Sequence, residues 1–242
     1  MGFFNLLDSG GTGGGSTTLI STPIYIELDS GMKNVALTTG GFKENKLLYS
    51  STFDNAAWIK DSAGMAVTAN TVANPLTAAV DADKIYETAT GGIAHVIYQQ
   101  AIAGFTSGVS YRLTFYAKYA GRKYFALFMT GTAFSPGKYA EIDIQAGTIR
   151  SSSGVTATIS AAGNGWHCIS LEAAAVATNT GTVSINFRND ADASTYTGDG
   201  SSGIYAYGAQ IALASSVPAI VTTTSAAVTT FLDNFTIQVT DA

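Results

Sequence analysis

The chain has 242 residues, a length that suits one β-sandwich or barrel and allows a large buried core. Only 12% of the residues are charged, the net charge is −5, and the basic residues are scattered along the chain. Nucleic-acid binding is therefore not expected, because it needs clustered cations to neutralise phosphates. The single cysteine, Cys168, excludes an intrachain disulfide and a cysteine metal cage.

Residues 1–44 differ in composition and residue pattern from the rest of the sequence. A short apolar cluster, formed by Phe3, Phe4, Leu6 and Leu7, precedes the Gly/Ser-rich run DSGGTGGGSTT, which is flexible by composition. The apolar run is too short for a signal-peptide core, and no stretch of about 18 apolar residues predicts membrane insertion. An apolar anchor on a flexible tether predicts docking onto a neighbouring subunit through those four residues. The alternative is a frayed terminus with one added hairpin.

From residue 45 onward the pattern is a succession of short runs with period-2 alternation, separated by Gly, Ser, Asn and Asp. In residues 109–119 the apolar set occupies one face and the polar set the other. A helical turn is predicted at 52–58, and 231–240 is predicted to be a last strand or a C-terminal arm. The other predicted strands are 123–130, 139–144, 166–173, 182–188 and 204–213.

This spacing predicts an all-β fold, an antiparallel β-sandwich of the jelly-roll type with an extended N-terminal arm. The predicted organisation is an N-terminal arm over 1–44, one jelly-roll domain over 45–229 and a C-terminal strand or arm over 230–242.

A literal G-x-G-x-x-G occurs at Gly198, Gly200 and Gly203. A dinucleotide-binding loop needs a strand before these glycines and a helix after them. Here an acidic, polar run precedes them and a strand-like run rich in Ile and Tyr follows. We therefore predict a turn in which Asp199 and the following serines bond the local backbone.

The sequence contains no strong pattern of catalytic residues. His95 and His167 lie within strand-like runs and no G-x-S-x-G elbow is present, so no catalytic residue is assigned. Glu141 and Asp143 share a strand face at a spacing that a glycoside hydrolase could use, although a solvated strand face explains them equally well. No cofactor is expected. Weak candidate ligands for a structural Ca²⁺ are Asp190, Asp192 and Asp199.

Aromatic side chains are the remaining candidates for ligand binding. Tyrosine and tryptophan exposed on a sheet offer flat apolar plates with a polar edge, which suit stacking on sugar rings or packing at an interface. Those that recur in the predicted strands are Tyr98, Tyr116, Tyr124, Tyr139, Tyr205 and Tyr207, with Trp58 and Trp166. The candidate glycan-binding residues are Arg112, Tyr116, Tyr124, Tyr205 and Tyr207.

The order of several segments resembles the carbohydrate-binding-module-like jelly-roll domain of bacteriophage virion proteins, especially tail fibres, tailspikes and minor tail proteins. The resemblance covers about residues 45–229, and its segments are 45–60, 81–88, 110–122, 163–171, 196–211 and 217–229. His167, Cys168 and Ile169 depart from the Tyr-Arg-Cys or Tyr-Arg-Val run that the family usually shows after GNGW. The resemblance implies a jelly-roll displayed on a virion, often as a trimer, that in some members binds glycans.

We therefore expect a non-enzymatic structural virion protein, either a capsid decoration or cement protein or a short head or tail fibre. The alternative is a glycan-binding adhesin that attaches the particle to host surface polysaccharide, and a glycoside hydrolase ranks last. The expected partners are major capsid or tail proteins, further copies of the chain in a trimer, and host glycans. The expected location is the virion, assembled in the host cytoplasm.

Overall fold

The computed structural model describes residues 32–38, 42–216, 219–231 and 236–241. It divides into two compact units, one of residues 41–232 and one of residues 1–40 with 233–242. The strands are β1 (Met32–Thr38), β2 (Phe42–Asn45), β3 (Ile59–Lys60), β4 (Met65–Ala73), β5 (Val80–Glu87), β6 (Ile93–Ala94), β7 (Val96–Ile102), β8 (Ser110–Ala120), β9 (Tyr124–Thr130), β10 (Lys138–Asp143), β11 (Thr148–Ser153), β12 (Thr156–Gly163), β13 (Trp166–Ala174), β14 (Gly181–Arg188), β15 (Thr195–Tyr196), β16 (Gly203–Leu213), β17 (Val228–Phe231) and β18 (Thr236–Asp241). Short 3-10 helices lie at Asp61–Ala63 and Thr132–Phe134.

Two six-stranded antiparallel sheets form the larger unit. The front sheet has the strand order β11-β10-β9-β14-β7-β3, and the back sheet has the order β12-β13-β8-β16-β5-β4. Their inner sides pack as a sandwich, so the predicted all-β antiparallel fold is confirmed. No helix within the described residues is long and apolar enough to cross a membrane.

The core follows from period-2 alternation on facing strands. On β8 the buried set is Tyr111, Leu113, Phe115 and Ala117, the face that the sequence pattern predicts. On β9 of the opposite sheet, Phe125, Leu127 and Met129 point inward. The rings of Phe115 and Phe125 meet edge to face with centroids 6.2 Å apart.

Residues 52–58 do not form the predicted helical turn. Successive turns run through this segment, with Asn55 N donating to Thr52 O at 3.2 Å and Trp58 N donating to Asn55 O at 3.1 Å. Trp58 fixes the path of this segment. Its side chain is fully buried and donates its indole N–H to the Tyr49 carbonyl at 2.9 Å. Burial of this one large ring, and not local helix propensity, thus determines the backbone conformation of the segment.

The chain ends pair in two-stranded ladders. β1 pairs antiparallel with β18, and β2 pairs antiparallel with β17. Of the predicted last strand or C-terminal arm at 231–240, residues 236–240 lie in β18, which extends to Asp241, and Phe231 ends β17. The predicted virion-docking residues Phe3, Phe4, Leu6 and Leu7 lie outside the described residues.

The glycine-rich motif is a turn, as predicted. The Asp199 carboxylate accepts hydrogen bonds from the backbone N–H groups of Ser201 and Ser202, both at 2.7 Å, and from the Ser202 hydroxyl at 2.6 Å. Gly200 has φ of +81°, a conformation that glycine adopts without steric cost. Since β16 begins directly at Gly203, the motif has no helix that could receive a phosphate.

The Asp199 turn predicts a pH dependence of stability. Although partial burial acts to raise the pKa of Asp199, the hydrogen bonds from Ser202 and Ser201 lower it well below its usual range. Because the folded-state pKa is depressed, this contribution is present above about pH 4, the usual value for Asp, and is lost as the pH falls below it. We expect Asp199→Asn to lower the free energy of unfolding at pH 7 by about 1 kcal/mol and to flatten its decline between pH 4 and 3, measured by urea titration. An unchanged acid decline in the variant would contradict this account.

Candidate functional site

The outward side of the front sheet carries three cross-strand rows of side chains. These positions alternate with buried core residues on the same strands, for example Ala140 and Ile142 on β10. In register across β10, β9, β14 and β7, the first row is Tyr139, Phe128, Ser184 and Tyr98, the second is Glu141, Ala126, Asn186 and Val96, and the third is Asp143, Tyr124 and Arg188. We call this surface the front face.

The first row forms an aromatic slot. The half-buried rings of Phe128 and Tyr139 lie with centroids 5.1 Å apart and planes inclined by 31°. Tyr98 is two strands away from Phe128, which is about 10 Å at ordinary strand spacing, and the small Ser184 lies between them. Ser184, with 8% of its surface exposed, forms the floor between these aromatic side chains.

The second row combines polar side chains with the small side chain of Ala126. Ala126 is small, so the guanidinium of Arg188 reaches across β9 to Glu141, with Nη2 and Oε1 3.3 Å apart. Ser151 donates its hydroxyl to the other Glu141 oxygen at 2.7 Å. Asn186 Oδ1 and Arg188 Nε are buried and have no hydrogen-bond partner within the described part of the chain. A buried polar atom without a partner costs free energy, so a movement of the surrounding side chains that gave either atom a partner would be favourable.

The third row ends in a cluster of paired charges around one ring. Lys123 Nζ lies 4.8 Å from the centroid of Tyr124, and the guanidinium carbon of Arg150 lies 4.1 Å from it. Arg150 Nη1 is 2.7 Å from Asp192 Oδ1, and Lys123 Nζ is 3.6 Å from Asp143 Oδ2. Tyr124 is thus covered by cations and holds them in place.

Glu141 and Asp143 project from the same face of β10, as the alternation predicts. Glu141 is held by Arg188, and Asp143 is held by Lys123 and by the Ala146 N–H at 2.9 Å. Both carboxylates on this face are therefore engaged in ion pairs.

Four of the five predicted glycan-binding residues lie on the outward side of the back sheet. Tyr207, with 6% of its surface exposed, is buried with Trp166 in a small cluster against which the half-buried Tyr116 and Tyr205 pack. Burial raises the pKa of the Tyr116 phenol to about 12. Arg112 donates to the Ala214 carbonyl at 2.7 Å. Tyr124 alone of the five belongs to the front face, so the structure does not bring the set together.

The remaining predicted candidates lie apart from the front-face slot. Asp192 is paired with Arg150 and Asp199 closes its own turn, and the described residues contain no cluster of three or more potential metal-ligating side chains. His95 is completely buried. A cavity of about 300 Å³ lies beside Lys46 and Gln99, where Lys46 is paired with Glu44 at 2.6 Å.

Phe128, Asn186 and Arg188 belong to the front face and were not among the sequence-based candidates. The alternation within 123–130 carries the signal: Phe125, Leu127 and Met129 form the core side, which leaves Phe128 outward. Its pairing with Tyr139 depends on the register of β9 with β10, which the sequence does not state.

No family model and no curated protein sequence matches the chain. Among solved structures, it is similar to the enzymatically active domain of tailspike protein 4 from bacteriophage CBA120, with 16% identity, a TM-score of 0.40, and coverage of 70% of this chain and 21% of that one. It is also similar to the CBM22-1–GH10 modules of a Clostridium thermocellum endo-1,4-β-D-xylanase complexed with xylohexaose, with 15% identity, a TM-score of 0.41, and coverage of 76% and 30%. The chain thus spans less than a third of either protein, and the function is argued from its own residues.

Proposed function

We propose that this chain is a glycan-binding module that holds a polysaccharide chain against the front face. The observation that carries the proposal is the aromatic slot, in which Phe128 and Tyr139 face Tyr98 across Ser184. Aromatic rings on a rigid sheet bind the apolar faces of sugar rings without ordering a loop first. In the next row the paired side chains of Glu141 and Arg188 would exchange hydrogen bonds with sugar hydroxyls.

The charge pattern favours a neutral polysaccharide. The cations of the front face are each paired with a carboxylate: Arg188 with Glu141, Arg150 with Asp192, and Lys123 with Asp143. Recognition of a uronate or sulfate would need an unpaired cation that can make charge-assisted hydrogen bonds. Paired groups of both signs suit hydroxyls, which donate and accept.

The shape favours a polymer over a single sugar. The first row crosses four strands, a span of about 15 Å at ordinary strand spacing, which accommodates several sugar units. The polysaccharide would run across the strands along this row.

The setting we propose is the surface of a bacteriophage particle, where the module would attach the particle to a host polysaccharide. The sequence resemblance over residues 45–229 supports this setting. A purely structural role as a decoration or fibre protein was expected to act through Phe3, Phe4, Leu6 and Leu7, and it stays a prediction. The front face supports adhesion directly, and adhesion is compatible with assembly into an oligomer.

Affinity electrophoresis of the full chain tests the proposal. Native gels containing dissolved neutral polysaccharides should retard the wild-type protein, and gels containing polyuronates should retard it less. Tyr116→Ala on the back sheet should be retarded like the wild type. Absence of retardation by every neutral polysaccharide would overturn the proposal, and loss of retardation in Tyr116→Ala would transfer the site to the back sheet.

A further inference from the structure

One buried carboxylate anchors residues 189–203, the loop that joins β14 to β16 and contains β15. Glu87 on β5 is completely buried and forms an ion pair with Arg122, with Oε1 and Nη2 2.5 Å apart. The same carboxylate accepts the Tyr196 hydroxyl at 2.7 Å and the Asp199 N–H at 2.9 Å. Two points of the loop are therefore tied to a single group inside the sandwich.

His95 packs against Tyr196, one of the two loop residues that Glu87 holds. Its ring stacks on Tyr196 with centroids 4.2 Å apart and planes inclined by 22°. The side chain is completely buried; neither ring nitrogen meets the geometry of a full hydrogen bond among the described residues, although the backbone of Thr88 and Ile93 lies close to the ring. The loop passes so close that a Cβ added to Gly198 would lie 2.9 Å from His95 Nε2. The buried imidazole is accordingly suited to the neutral form.

The charged groups that act on His95 come from two places. Glu87 lies on β5, and Arg122 follows β8 with its guanidinium carbon 5.2 Å from the Tyr196 ring on which His95 stacks. Burial is the main cause that lowers the pKa of His95, and Arg122 adds to it, while Glu87 and the backbone of Thr88 and Ile93 act in the opposite direction. Since the folded-state pKa lies below the ordinary value, stability falls as the pH drops from about 6.5 through the folded-state pKa.

The same loop reaches the front face at its other end. Asp192 accepts from Arg150 at 2.7 Å, and its carbonyl accepts from Arg188 Nη1 at 3.5 Å. Arg150 in turn covers Tyr124. The loop therefore contributes contacts to two guanidinium groups beside the proposed sugar site, one of which, Arg188, is also held by Glu141.

We propose that residues 189–203 form a strap that positions Arg150 and Arg188 at the glycan-binding face, and that protonation of His95 releases the strap and weakens glycan binding in acid. This inference rests on the proposed function for its effect on binding. A protonated imidazole would place a second buried cation beside Arg122, and moving the strap away admits water to both.

Two measurements on the full chain test the strap separately. Hydrogen exchange at the amides of Gly198 and Asp199, corrected for the intrinsic effect of pH, reports opening without any glycan. Affinity for a retarding neutral polysaccharide reports the consequence. Between pH 7 and pH 5 we expect faster exchange at both amides and an affinity loss of about tenfold in the wild type. This pH range stays above the usual titration range of Asp199.

Variants assign the effect to His95. His95→Phe keeps a stacking ring and cannot titrate, so its exchange and affinity should be independent of pH over this range. His95→Gln serves the same purpose if the phenylalanine does not fold. His167→Gln, which changes the other histidine of the chain, should behave like the wild type. Gly198→Ala should exchange rapidly at both pH values.

The outcomes separate the two proposals. Equal corrected exchange in the wild type at pH 7 and pH 5, or acid opening that persists in both His95 variants, would overturn the strap. Acid opening without any change in affinity would overturn its link to the front face. Absence of glycan binding at pH 7 would refute the proposed function, while the exchange result would still decide whether the strap opens.

Discussion

Phe128→Ala combined with Tyr139→Ala should reduce glycan affinity by about 100-fold. Each ring that covers a sugar buries about 60 Å² of apolar surface, which contributes about 1.5 kcal/mol at 25 cal/mol per Å². Two rings therefore contribute about 3 kcal/mol, a little over two factors of ten in the dissociation constant. Calorimetric titration of the full chain with the retarding polysaccharide measures the loss.

A complementary variant tests the slot by filling it. Ser184→Leu places a larger side chain at the floor between Phe128 and Tyr98, so it should also abolish binding. The Phe128→Ala/Tyr139→Ala double variant and Ser184→Leu should both keep the far-ultraviolet circular dichroism of the wild type, because the altered side chains lie on the outward side of the sheet. Wild-type affinity in both variants would exclude the aromatic slot as the binding site.

Arg122→Met should destabilise the fold by about 3–5 kcal/mol, the cost of leaving a buried charge without its partner. The variant leaves the Glu87 carboxylate, which has no exposed surface, without its cation. Arg150→Met provides the matched control, because its pair with Asp192 is partly exposed and should contribute at most about 1 kcal/mol.

Urea unfolding at pH 7 measures both values. The double variant Arg122→Met with Glu87→Leu should recover part of the loss, since removing both charges removes the unpaired group. A loss in Arg122→Met no greater than in Arg150→Met would show that Glu87 is not the buried anchor that the structure indicates.

The architecture could be predicted because period-2 alternation is a local property of the sequence. The inward set on β8 and the turn at Gly198–Gly203 both follow from neighbouring residues. The helical turn expected at 52–58 was wrong because burial of Trp58 overrides local propensity.

The binding face could be predicted only in part. Alternation shows that Tyr124, Tyr98 and Tyr139 recur in strands, but which aromatics share one surface depends on strand order and register. Tyr116 and Tyr205 resemble Tyr98 in sequence context, yet they pack on the back sheet with Trp166. The anchor at Glu87 joins residues more than a hundred positions apart, a contact that no local pattern reveals.

The most direct test of the glycan-binding account is a crystal structure of the full chain with an oligosaccharide cut from a polysaccharide that retards it. The account predicts sugar density over Ser184, between Phe128 and Tyr98, with a hydroxyl near the Glu141–Arg188 pair. Density on the back sheet beside Tyr116, or in the cavity beside Gln99, would contradict it.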